Sequence, residues 1–91
     1  MASTPEFDET FAAAVRSEIG RRLRSRRQEA DLTQVALAKE TGLNNAYISE
    51  VERGRRNISM VNICRLASVL DCSPQELAPL EAPAPTGAVE R

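Results

Sequence analysis

Histidine is absent from this chain, and so is tryptophan. Without an imidazole, the side chain most often used as a general base and as a metal ligand is missing. Cysteine is scarce: Cys64 and Cys72 stand eight residues apart, and a zinc site built on them would need carboxylates for its other ligands. They read better as small buried hydrophobes or inert thiols in a reducing compartment, with an intersubunit disulfide or redox switch as the alternative. No glycine-rich nucleotide loop is present, so neither an enzyme, nor a cofactor, nor a small-molecule ligand is expected. No apolar run approaches the roughly 20 residues of a membrane span. The opening stretch Met-Ala-Ser-Thr-Pro-Glu-Phe-Asp-Glu lacks the basic and apolar regions of a secretory signal, which predicts a cytoplasmic protein. With 42% hydrophobic residues but only one tyrosine and two phenylalanines in 91 residues, the core must be Leu, Ile, Val and Ala carried on helices. A single all-α domain is the expectation.

Charge is nearly balanced at −1 overall but unevenly placed. Residues 1–15 carry −3, residues 16–56 carry +4 and residues 57–91 carry −2. Base is therefore concentrated in the middle of the chain, as phosphate binding requires, while acidic ends limit indiscriminate association with polyanions. Arg21, Arg22, Arg24 and Arg26 also fit a merely solvated helix face.

Five helical segments follow from periodicity and punctuation. Phe11, Val15, Ile19 and Leu23 recur every four residues, predicting a long first helix from the Thr10 region to about Ala30. Thr33 caps the second helix, on which Leu37, Ala38 and Thr41 share a face, and Gly42 marks the reversal after it. Leu43 plugs the turn. Asn44 caps the third helix; Ile48 and Val51 point inward, Asn45, Ala46, Ser49 and Glu50 outward, and Gly54 stops it. Ser59 opens a fourth helix whose stripe of Met60, Ile63, Leu66, Ala67 and Leu70 should be core. Ser73-Pro74-Gln75-Glu76 combines a cap with a first-turn proline and announces a short fifth helix carrying Leu77 and Leu80. The domain then spans 16–80, after an N-terminal extension at 1–15 and before a flexible Pro/Ala-rich tail at 81–91.

Two short helices joined by a tight turn, the second ending on glycine beside clustered arginines, form a helix-turn-helix, which places a few side chains in the DNA major groove. From Ile19 to Leu77 the chain resembles the Xre family of bacterial and phage regulators, also called Cro-type or lambda-repressor-like domains. The resemblance rests on Ile19-Gly20 and Arg27, Leu32-Thr33-Gln34 with Leu37-Ala38, Gly42-Leu43, Tyr47-Ile48-Ser49 with Val51-Glu52-Arg53-Gly54, and Arg65-Leu66-Ala67 with Ser73-Pro74. More narrowly, residues 47–59 look like the controller proteins of restriction–modification systems. Asp31 and Asp71 stand where relatives often end a helix on glycine, and Arg26 where an apolar residue is common. Val35 and Ala36 leave the second helix unusually apolar outside.

The resemblance implies a compact five-helix fold, double-stranded DNA as partner, and roles for single residues. Thr33, Gln34, Tyr47, Arg53, Arg55, Arg56 and Asn57 fall where relatives touch the sugar–phosphate backbone. Asn44, Asn45, Ala46, Ser49 and Glu50 fall where relatives read bases: Asn suits adenine, Ala a thymine methyl, Glu cytosine N4. The alternative for Tyr47 is a cover over the joint between the second and third helices, and for Asn57 a loop cap. Arg27 and Glu52 should form a structural ion pair. Because one recognition helix reads only a few base pairs, a homodimer on a (pseudo)palindromic operator is expected, with Val61, Val69, Leu77 and Leu80 as interface candidates. A second dimer on an adjacent site and RNA polymerase complete the expected partners. The rival reading is an antitoxin or adaptor whose main task is binding a protein; retention of Arg53, Arg55 and Arg56 favours DNA.

Overall fold

The computed structural model of the chain describes residues 7–79, and among them the only regular elements are helices joined by short loops. Helix α1 spans Glu9–Glu29, α2 Gln34–Thr41, α3 Asn45–Glu52 and α4 Met60–Val69, followed by a single 3-10 turn at Pro74–Glu76. Three predicted caps are made: Thr33 Oγ1 accepts from Ala36 N at 3.0 Å, Asn44 Oδ1 from Ala46 N at 2.8 Å, and Ser59 Oγ from Asn62 N at 3.1 Å. Helix α1 begins two residues earlier than the sequence suggests, because Asp8, not Thr10, accepts from Phe11 N.

The fifth helix is the main correction. Leu77 N and Glu76 N both reach back three residues, to Pro74 O and Ser73 O, so one tight turn replaces the helix. The physical reason is Pro79, which disfavours a helical conformation for Ala78 and closes the segment before a second turn can form. Leu80, its other expected apolar residue, lies outside the described residues.

Three helices end on the same device. Asp31, Gly54 and Asp71 adopt left-handed φ values of 57°, 72° and 55°. In each case the next amide reaches back five residues, from Leu32 to Arg27 O, from Arg55 to Glu50 O and from Cys72 to Ala67 O. The two aspartates thus take the glycine conformation in full, at some backbone strain.

Leu23, Leu37, Ala38, Ile48, Val51, Ile63, Leu66, Ala67, Leu70 and Leu77 form one buried cluster. Burial of each large aliphatic residue contributes about 1.5–3 kcal/mol. Leu77, expected at a dimer interface, is 1% exposed and closes the core of its own chain. Val69 also packs against that core while remaining partly exposed. Met60, expected inside, is 61% exposed: it occupies the first position of α4, and packing begins one turn later at Ile63. Cys64 faces solvent rather than the core, and Cys72 is half-buried, its thiol pushed up chiefly by burial and further by Glu76.

Helix α1 packs on α3, α2 on α3 and α4, and α4 on the 3-10 turn. At the α1–α3 crossing a Cβ on Gly20 would stand 2.5 Å from the carbonyl oxygens of Val51 and Glu52, so the two backbones meet directly. No helix among the described residues is long and apolar enough to cross a membrane.

Candidate nucleic-acid interface

Helix α3 is held from behind and open in front. Ile48 and Val51 are fully buried against α1 and α2, which turns Asn45 and Ala46 to solvent, with Ser49 and Glu50 half-exposed beside them. The geometry follows from spacing: three residues of helix return to the same face, so two inward anchors leave one continuous outward strip. Asn44 begins that strip, but its carbonyl oxygen is committed to capping Ala46 N and Tyr47 N, leaving only its amide donors outward.

A charged strut fixes the far end of the helix. Arg27 meets Glu52 in a two-pronged pair, Nε to Oε2 at 2.6 Å and Nη2 to Oε1 at 3.1 Å, and its Nη1 donates to Leu32 O at 2.7 Å. The Glu52 side chain is 3% exposed and that of Arg27 12%, so the predicted ion pair is present and largely desolvated. Gln34 joins it, donating to Glu52 Oε1 at 3.0 Å. In the free protein this side chain therefore belongs to the strut that ties α1, α2 and α3.

Beyond α3 the chain presents a second cluster. Arg56 pairs with Glu50 at 2.7 Å and lies over the Tyr47 ring, 5.2 Å from its centroid. Tyr47 accepts from Asn62 Nδ2 at 3.2 Å and packs against the core, so it ties α3 to α4 while remaining at the surface. Glu50, expected to read a base, has its carboxylate engaged by Arg56. Asn57 is exposed and makes no side-chain hydrogen bond with any described residue, which removes the loop-cap reading. Arg53 and Arg55 are exposed and likewise form no ion pair with a described residue.

The arginines of α1 divide in two. Glu18 draws in Arg21 and Arg22, and these hydrogen bonds, Arg21's first, pull its carboxyl down to about 2. Arg22 also donates to Ala78 O at 2.9 Å, and Arg26 reaches Glu29 and Glu76, so both are structural ties and not a merely solvated face. Arg24 is different. It shares with Arg53, Ser17 and Gln28 the lining of an open groove between α1 and the end of α3, with no described partner. For Arg24 alone the solvated-face reading holds, and the signal that sets it apart from its neighbours is spacing, since no acidic residue stands three or four positions from residue 24. Among the described residues no group of three or more acidic or cysteine side chains has metal-site spacing.

The HTH_3 helix-turn-helix family matches residues 23–77, more than half of the chain. The chain belongs to this family. Among HTH_3 relatives, control protein C.BamHI of Bacillus amyloliquefaciens is 36% identical over 64 residues, covering 69% of this chain and 79% of the relative. The crystal structure of the restriction–modification controller protein C.AhdI from Aeromonas hydrophila superposes with a TM-score of 0.66 at 47% identity, covering 68% of this chain and 94% of that one. The c2 repressor of Salmonella phage P22, solved in complex with a synthetic operator, matches with a TM-score of 0.63 at 36% identity, over 67% of this chain and 92% of the solved one. The HTH_3 match starts inside α1, leaving that helix's first fourteen residues, from Glu9 on, outside it.

Proposed function

We propose that this chain is a sequence-specific DNA-binding transcriptional regulator that acts as a homodimer on a (pseudo)palindromic operator, regulates its own promoter, and serves as a restriction–modification controller protein. One observation carries the reading: the outward strip of α3 is edged by arginines that the fold leaves unneutralised. Asn45, Ala46 and Ser49 enter the major groove and read base edges, with the Asn44 amide at the strip's start. Arg53, Arg55, Asn57 and the α2 start at Thr33 meet phosphates. Arg56, steadied by Glu50 and the Tyr47 ring, approaches the duplex from the side of the strip, and Glu50 acts through it rather than on a base directly. The likeness to two controller proteins and to an operator-bound repressor supports both DNA as partner and the controller role.

Dimerisation follows from the mechanism, since two half-sites one helical turn apart are needed for affinity. The surface for it lies on the outer face of α4, where Met60 and Val61 are 61% and 68% exposed, with Val69 further along the same helix. Adjacent operator sites would seat a second dimer, within reach of RNA polymerase at the promoter.

The test is binding to the DNA just upstream of the protein's own gene against random DNA, at two salt concentrations, with the bound mass recorded. Tight, salt-sensitive, dimer-sized binding is expected, and Asn45→Ala should change the preference among sequences by about 1–3 kcal/mol. Equal binding to random DNA would overturn the regulator reading and favour a protein-binding adaptor.

A further inference from the structure

Helix α1 starts at Glu9, yet the family match starts at residue 23. Within those earlier turns, two neighbouring residues reach the loop that leaves α3. Arg16 Nε donates to Gly54 O at 3.2 Å, and the same guanidinium pairs with Glu9, two turns earlier on the same face of the helix. The Arg16 side chain is only 19% exposed, against 77% for Glu9, so it is the seated partner and Glu9 the outer one. Gly54 rests on the next residue as well: at φ 72°, a Cβ there would stand 2.9 Å from Ser17 Oγ and 3.1 Å from Ser17 Cα. On the far side of this contact, Phe11 and Val15 of α1 face Asn57 and Ile58 across a shallow apolar groove.

Gly54 is where the backbone turns left-handed, and Arg55, Arg56 and Asn57 follow it directly. Their direction is set by how that glycine is held. We infer that Arg16 is a positioning residue for the DNA-facing loop: by holding the Gly54 carbonyl, the N-terminal half of α1 orders residues 55–57 before DNA arrives. This rests on the reading of that loop as a phosphate-contacting segment. A loop ordered in advance loses less conformational freedom on binding, so the brace appears as affinity as well as stability. Glycine in this conformation is otherwise the most permissive point of the loop, which is why a single carbonyl anchor there has leverage.

The experiment compares the full chain with Arg16→Ala and Arg16→Lys. Amide hydrogen exchange is followed at Gly54 and Arg55, whose N–H groups bond to Val51 O and Glu50 O. Binding is measured at two salt concentrations to the duplex that the wild-type chain selects from a random library. For Arg16→Ala, exchange of those two amides should quicken while amides inside α2 stay unchanged, and affinity at a temperature where the variant is fully folded should fall by about tenfold, the equivalent of one charge-assisted hydrogen bond. Arg16→Lys keeps the charge but has one donor group in place of the guanidinium fork, so its exchange and affinity should fall between the two. Unchanged exchange at Gly54 and Arg55 would overturn the inference, as would wild-type affinity in folded Arg16→Ala. Full affinity in Arg16→Lys with the amides still fast would also overturn it, because charge alone would then suffice. If the wild-type chain selects no DNA, the regulator reading falls, and the exchange measurement still decides whether Arg16 holds the loop.

Discussion

Five of the six arginines on α1 are engaged by the protein's own carboxylates or carbonyls, whereas Arg53 and Arg55, just past α3, have no described partner. Carboxylates stand beside both groups, and what differs is which partner holds them. Near α3 the acids are already taken: Glu50 by Arg56, and Glu52 by Arg27 and Gln34. On α1 the acids lie three or four residues from an arginine, Glu18 before Arg21 and Arg22, Glu29 after Arg26, and neutralise it locally. Equal formal charge therefore becomes scaffold in one region and an external field in the other.

The strongest way to break this contrast is at the strut. Arg27→Ala strands the buried Glu52 carboxylate and should cost about 3–5 kcal/mol in urea denaturation. A loss below about 1 kcal/mol would class the pair with ordinary surface bridges. At the other pole, Arg53→Ala and Arg55→Ala should leave folding within about 0.5 kcal/mol of the wild type. Each should weaken binding to all DNA and lower the slope of log affinity against log salt by about one. A large stability loss in either would mean that these arginines serve the fold after all.

The smallest effect is one of pH. The Arg21 and Arg22 hydrogen bonds hold the folded Glu18 carboxyl at about 2, below its ordinary 4.5. A depressed carboxyl stabilises fully above its unfolded value, and that contribution drains away as pH falls from about 4.5 toward 2. Glu76, lowered first by the Ser73 backbone N–H, behaves in the same sense. Glu18→Gln should thus differ little from wild type at pH 7 in solvent-screened surroundings, yet lose less stability on acidification. A steeper acid loss in the variant would contradict the assignment.

Much of this was legible in the sequence because it is local. Caps at Thr33, Asn44 and Ser59 depend on a side chain and the amides two or three residues on, and the Ile48 and Val51 pair fixes which strip of α3 faces out. The left-handed aspartates were visible as departures at helix ends. What escaped depends on where chain segments meet. Leu77 looked spare until the 3-10 turn carried it into the core, and Met60 kept the periodicity of a core residue at a position beyond the packing. The commitment of Glu50 to Arg56 crosses six residues and a left-handed turn, which no helical spacing rule covers.

Gly20 carries one consequence beyond packing. Because α1 touches the main chain of Val51 and Glu52, part of what holds α3 in place is atoms that every amino acid possesses. Its outward side chains are thereby uncoupled from its orientation. On the proposed reading of the outward strip, descendants of this gene can exchange residues 45, 46 and 49 and acquire a new DNA vocabulary without having to rebuild the scaffold that delivers it.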